Sequence, residues 1–209
     1  MPLQLDEVIT DRTRLRELLP EYDGPFIFKV ANCVTELARR YIAASPFIVI
    51  ATIGKDGSID VSPKGDPPGF VEVFDDYTLI IPDRLGNHRL DSFENLLFNP
   101  SIAIIFFIPG NAETLRISGT ARIVRDLAIQ ERHAVNGKPP ELALVVEVSE
   151  AFMHCSKAFV RSRMWKPAQW PDRKGVPSLA EWAADISKPV DTIAQLQQHA
   201  DDDVRDRLY

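Results

Sequence analysis

The sequence predicts a mainly β, α+β protein: a small closed barrel of about six antiparallel strands with flanking helices at both termini. Three observations lead there. Short β-branched runs recur between Phe47 and Val148 and alternate with period two. Tight turns join most of them, which makes sequence neighbours antiparallel. Several runs are apolar at nearly every residue, so both faces are covered, and closing the sheet also removes its edges. An open α/β sheet fits worse, because crossover helices are missing between most strands.

Asp11 can cap a short helix through Leu19, which Pro20 ends. YDGPFIFK reads as irregular. Asn32 can cap a helix over Cys33–Ala44, with Val34, Leu37, Ala38 and Tyr41 on one face as a lid on the sheet, and Ser45-Pro46 stops it. Phe47–Ile53 (FIVIATI) is a buried strand, Gly54-Lys55-Asp56-Gly57 a hairpin turn, and Ser58–Lys64 (SIDVSPK) the returning strand. Pro63 cannot donate to a ladder, so that strand reaches an edge there. A rigid GDPPG loop leads to a third strand over Phe70–Phe74, a turn at Asp75-Asp76, and a fourth strand over Thr78–Ile81.

A polar turn then opens an amphipathic helix with Leu90, Phe93, Leu96 and Leu97 as its buried stripe and Asn99-Pro100 as its stop. Ser101–Ile108 (SIAIIFFI) is the most apolar strand. Glu113–Val124 alternates cleanly, with Leu115 and Ile117 inward and Arg116 and Ser118 outward, and Gly119 marks a bulge or a close backbone approach. Asp126–Ala134 reads as a short helix, Glu141–Val148 as the last strand and Ala151–Arg163 as helix. A Trp- and Pro-rich stretch and two helices complete the chain, with a capping box at Ser178–Glu181.

With 209 residues, 45% hydrophobic and 26% charged, the chain has an ordinary globular balance and enough apolar residues for a sizeable core. A net charge of −6 argues against a nucleic-acid surface. Cys33 and Cys155 form no disulfide framework and no metal-binding pair, which fits reduced thiols in a cytoplasmic protein. No apolar run is long enough for a transmembrane helix, and MPLQLDEVITDRTRL lacks the order of a signal peptide.

The chemistry concentrates in Ile81–Pro100 (IPDRLGNHRLDSFENLLFNP). Asp83, Arg84, Gly86, Asn87, His88 and Arg89 crowd the turn before a helix start, whose free N–H groups and dipole favour an anion. Lys64 ends another strand beside Ser62, Gly65 and Asp66. If the strand ends are neighbours, Lys64, Arg89 and the 87–89 amides converge into a cation-rich pocket suited to a phosphomonoester. The alternative is a capped loop with solvated cations. No nucleophile–base pair, metalloprotease motif or dinucleotide fingerprint stands out. His154-Cys155 could ligate a metal, although a helix face under the barrel accounts for the pair more simply; no metal site is assigned. Trp165 and Trp170 could stack on a flat ring or pack at an interface. A phosphate cradle with flanking aromatics and no acid–base constellation points to a bound cofactor.

These segments, in this order over roughly Ala43–Val124, resemble the pyridoxamine 5′-phosphate oxidase superfamily of flavin-mononucleotide split barrels, and HCSKAFVRSRMW resembles a subgroup described as FMN-dependent enzymes. The resemblance implies a six-stranded split barrel and a homodimer with FMN at its interface. It implies that Lys64, beside Ser62, reaches the FMN phosphate, and that the backbone of Ile81, Pro82 and Asp83 runs along the isoalloxazine. Asn87 and Arg89 would bind phosphate, Glu113 and Thr114 would approach from the partner subunit, and Trp165 would cover the ring edge. Two features depart from the authentic oxidase: Gly86-Asn87-His88-Arg89 replaces its Arg-Lys pair, and its C-terminal arginine-and-histidine substrate pattern is not evident. Vitamin B6 is therefore not the expected substrate.

The expected organisation is an FMN-binding domain over residues 1–165 and a packed extension over 166–209. The expected function is an FMN-dependent oxidoreductase taking electrons from a nicotinamide donor or a small-molecule substrate, with no nucleic-acid or membrane partner. The alternatives are a non-catalytic flavin- or haem-binding carrier, and a barrel that has lost the cofactor and uses its interface for protein partners.

Overall fold

β1 (Phe47–Ile53) pairs with β2 (Ile59–Gly65) on one side and β5 (Ser101–Phe107) on the other. The ladder continues from β5 to β6 (Thr114–Val124), β7 (Ala143–His154), β4 (Thr78–Pro82) and β3 (Glu72–Val73), every pair antiparallel. The strand order is β2-β1-β5-β6-β7-β4-β3, leaving β2 and β3 as the ends of the ladder. The computed structural model describes residues 3–26, 29–187 and 190–209, so Ile27 and Phe28 of the segment expected to be irregular lie outside the described residues.

The turn chemistry works as the sequence implies. The Gly54 N–H donates to Ser58 O at 2.8 Å, and Gly57 takes a φ of +83° that a side chain would resist. Among the described residues the strands number seven where about six are expected, and the strand expected over Phe70–Phe74 is only two residues long, Glu72–Val73. β7 runs on to His154, where a helix from Ala151 is expected. Ala31 bridges Ala151 and Thr114 pairs with His154, so ladder partners on both sides outcompete helix there, and α5 is confined to Lys157–Ser162. His154 and Cys155 therefore sit at a strand end and not on a helix face.

Alternation along the strands makes two unlike faces. Ile48, Ile50, Ile104, Phe106 and Ile117 turn inward and join Leu79, Leu144 and Val146 in a buried core. Each such side chain contributes about 1.5–3 kcal/mol by leaving water. The other row faces outward: Phe47, Val49, Ala51 and Ile53 align in register with Pro63, Val61 and Ile59 of β2 and with Phe107, Ile105 and Ala103 of β5. Ile59 and Val61 are exposed on this outer face.

Helix α1 (Arg12–Leu18) has the expected cap, Asp11, which accepts from the Arg14 N–H at 2.9 Å. α2 (Glu36–Ala44) is shorter than expected. Thr35, not Asn32, caps it, because the chain before it is tied down as extended backbone: the Val34 N–H donates to Asp76 O at 2.7 Å. Its buried face is Ala38, Tyr41 and Ile42, and Leu37 points to solvent. α3 (Asp91–Phe98) buries Ser92, Phe93 and Leu96, while Leu90 and Leu97, expected in its stripe, are exposed. The polar Ser92 takes an inward position because its hydroxyl donates to Asp60 Oδ2 at 2.5 Å, pinning α3 to β2. α4 (Leu127–Arg132), α6 (Leu179–Ser187) and α7 (Ile193–Asp206) follow, α6 with its Ser178–Glu181 capping box formed. No helix among the described residues is long and apolar enough to cross a membrane.

Gly119 marks the bulge that the sequence suggests: the β6–β7 register shifts between Ser118 and Gly119. A Cβ there would overlap the Glu147 carbonyl oxygen, which is backbone and cannot swing away. Gly119→Ala should therefore destabilise the fold by about 1–3 kcal/mol, read as a lower urea midpoint; an unchanged midpoint would show that the strands separate freely at this point.

Candidate functional site

On β2 the inward positions are Asp60, Ser62 and Lys64, opposite Thr52, Ile50 and Ile48 of β1. Polar residues occupy this row because β2 is an end strand, bordering a cavity where a neighbouring strand would lie. The cavity, about 850 Å³, is lined by residues 60–64, residues 83–93, residues 138–142 and Tyr209. Lys64 and Arg89, expected to converge, both line it, as do Ser62, Asp83 and Asn87.

Its charges are not the unopposed cations that the sequence suggests. Arg84 Nε meets Asp66 Oδ2 at 2.6 Å, with the two side chains 17% and 2% exposed, and Arg84 Nη1 donates to His133 O at 2.8 Å. Lys64 Nζ lies 3.4 Å from Asp83 Oδ1, and Arg89 Nε 2.7 Å from Asp91 Oδ2 with the arginine 73% exposed. Magnitudes separate the three pairs. Removing one partner of a buried pair leaves an uncompensated charge and costs about 3–5 kcal/mol. An exposed pair is worth about 0–1 kcal/mol, and its cation is easily given to another anion. Arg84 is thus committed to structure and Arg89 is the freest of the three cations, with Lys64, 25% exposed and 3.4 Å from its partner, between them.

The loop between β4 and α3 borders the cavity with a distinct backbone geometry. The Asn87 side chain accepts from the Arg89 N–H at 3.1 Å, and His88 and Leu90 adopt left-handed φ of 55° and 59°. Leu90 occupies the cap position of α3 and supplies no capping side chain, so the first turn of that helix enters the cavity wall without one. Lys64 also lies over the Phe93 ring, 5.7 Å from its centroid.

The remaining expected site residues lie elsewhere on this chain. Ile81 and Pro82 are buried in β4 and do not line the cavity. Thr114 is buried at the start of β6, and Glu113 O accepts from the Tyr41 hydroxyl at 2.6 Å. Trp165 donates to Asn111 O at 2.7 Å and stacks on Phe159, which meets Phe107, which meets Phe47, at centroid distances of 5.7, 6.0 and 5.8 Å. Trp165 is the end of an aromatic run, not a cavity wall.

Sequence reasoning missed the Asp60–Ser92 contact, Lys138, Tyr209, and the His133–Glu72 pair, whose Nε2 and Oε2 are 2.8 Å apart beside a second cavity. Only Asp60 carried a signal, through its two-residue spacing from Ser62 and Lys64. Among the described residues no cluster of three or more His, Cys, Asp or Glu could hold a metal.

Two measurements probe these electrostatics. Asp66→Ala should destabilise the protein by about 3 kcal/mol and Arg89→Ala by less than about 1 kcal/mol, compared by urea denaturation; equal small effects would count against a structural role for the Asp66–Arg84 pair. His154 is held below the usual imidazole range by burial and then by Arg116 and Lys29. The unfolded chain therefore takes up a proton that the fold resists, and stability falls as pH drops below about 6.5. His154→Gln should gain stability relative to the native protein between pH 7.5 and pH 5, and a pH-independent difference would rule this cause out.

A family model described as "Pyridoxamine 5'-phosphate oxidase" matches residues 34–155, more than half of the chain. No curated protein matches. Among solved structures, HupZ of Group A Streptococcus is 21% identical at a TM-score of 0.47, over 57% of this chain and 92% of that one. A putative pyridoxamine 5'-phosphate oxidase from Lactobacillus delbrueckii is 21% identical at a TM-score of 0.47, over 60% and 99%. An FMN-binding protein from Syntrophomonas wolfei is 11% identical at a TM-score of 0.43, over 56% and 81%.

Proposed function

The chain belongs to the pyridoxamine 5'-phosphate oxidase family, and from that premise we propose that it is an FMN-binding flavoprotein acting as an FMN-dependent oxidoreductase. One observation carries the reading: Lys64, Arg89 and the uncapped start of α3 converge on one cavity. A phosphate there would exchange for Asp83 and Asp91 as the partner of the two cations. Asp91 is solvent-accessible enough to return to water, so the exchange costs least at Arg89, and Asp83, 25% exposed, is the less accessible of the two. Ser62 and Asn87 add hydrogen-bonding groups, and the Ile81–Asp83 backbone continues from the cavity into the sheet.

FMN, when bound, would supply two-electron redox chemistry between a nicotinamide or organic donor and oxygen or another acceptor. The chain's own residues bind the phosphate, orient the ring and shape the field around it; no residue is assigned a proton-transfer role. Residues 1–165 form the flavin-binding unit in this reading, and residues 166–209 an extension packed on it. A second copy would cover the apolar outer face of β2, β1 and β5 and bring its Glu113–Thr114 hairpin and Trp165 to the flavin. The exposure of Ile59 and Val61, in register with an apolar row, supports that partner.

The test is the purified protein with FMN. A yellow protein that binds FMN supports the reading, and Lys64→Ala or Arg89→Ala should each weaken FMN binding by about 1–3 kcal/mol in a fluorescence titration. Unchanged affinity in both variants removes the phosphate assignment. Oxidation of NADH or NADPH by the loaded protein supports the enzyme; bound flavin with no turnover by any donor makes it a carrier.

A further inference from the structure

Tyr209 follows α7 and returns to the cavity from a distant part of the chain. Its phenol hydroxyl donates to Asp66 Oδ1 at 2.7 Å, and its main-chain oxygen accepts from Lys138 Nζ at 2.7 Å. The Arg84 guanidinium lies over its ring, 5.9 Å from the centroid. These contacts tie Tyr209 to three walls of the cavity: the loop after β2, the turn after β4 and the turn at Lys138. Asp66 has two oxygens with two different duties. Oδ2 holds Arg84 in the buried pair, and Oδ1 holds the phenol. Tyr209 can therefore lift off without breaking the pair that closes the barrel.

We propose that Tyr209 is a ligand-retaining residue of the cavity, its ring forming a removable wall beside the Lys64–Arg89 end, so that a phosphorylated flavin enters and leaves when residues 207–209 detach. This rests on the flavin reading above. The segment is held by hydrogen bonds and a cation–π contact, not by buried apolar side chains. The hydrogen bond to Asp66, foremost among the influences on it, holds the phenol pKa above its ordinary value, so the hydroxyl stays protonated and donating through neutral pH.

Stopped-flow flavin fluorescence with FMN on the full chain tests this. Losing one hydrogen bond of ordinary strength corresponds to about a fivefold to tenfold change in an equilibrium. Tyr209→Phe, which keeps the ring, should speed FMN release and uptake to about that degree, and Tyr209→Ala should speed both further, with the Kd changing less than either rate. Rates within about twofold of the native protein in both variants overturn the proposal. A native protein that takes up no FMN overturns the flavin reading instead. The retaining contact is then decided without ligand: Tyr209→Phe should speed amide exchange at Lys138, bonded to Val135 O, and at Asp83, bonded to Leu142 O. Unchanged exchange there overturns it.

Discussion

The buried Asp66–Arg84 pair is the constraint on which the rest of the site depends. The hydrogen-bonded ladder ends at β2 on one side and β3 on the other, so no backbone pairing joins β2 to β4. A side-chain pair joins them instead, reinforced by the Arg84 bond to His133 O and by the looser Lys64–Asp83 contact. An ion pair this dry is not a cheap source of stability, because desolvation offsets much of the attraction. Its effect is positional. It fixes the distance between two strand ends while leaving the space beside them unfilled.

That space is why β2 reads differently from β1. Both strands alternate, but the inward row of β1 is Ile48, Ile50 and Thr52, and that of β2 is Asp60, Ser62 and Lys64. A central strand must face the core, and an end strand beside a cavity faces water or a ligand. α3 covers part of the gap, and the contacts that hold it are themselves polar. Ser92 donates to Asp60, and the Asn95 side chain donates to Thr52 Oγ1 at 3.1 Å. The helix is therefore held by one hydrogen bond to β2 and one to β1, which places its first turn in the cavity wall.

Much of the fold was legible because local chemistry and global need agree there. The GKDG hairpin, the Asp11 cap, the Gly119 bulge and the Leu115–Ser118 alternation each follow from one residue's conformational or hydrogen-bonding requirement. The failures share a cause in long-range pairing. Ala151–His154 has no strong local preference, and only its ladder partners on Ala31 and β6 make it strand. Leu37 and Leu97 fit a helical stripe by spacing, but each helix meets the sheet along a narrower band than the stripe allows. In the site, sequence placed Lys64 and Arg89 on a common cavity through strand ends and turn composition. It could not distinguish Arg84 from Arg89, because which carboxylate each one meets depends on a contact eighteen residues away in one case and two in the other.

The difference between those two arginines also explains how one loop can be rigid and receptive together. Arg84 is anchored at the loop's beginning, where its charge is neutralised out of water and its geometry is fixed by two acceptors. Arg89, five residues on, keeps most of its surface in solvent, and its partner Asp91 is a near neighbour that follows it wherever the loop goes. An arriving anion would compete with Asp91 on nearly equal terms for Arg89, yet it could not compete with Asp66 for Arg84 without leaving a buried carboxylate with no cation. A loosely paired cation and a structural one thus share the same turn, so in the proposed reading an anion would exchange at Arg89 while the strands that frame it stay where Asp66 holds them.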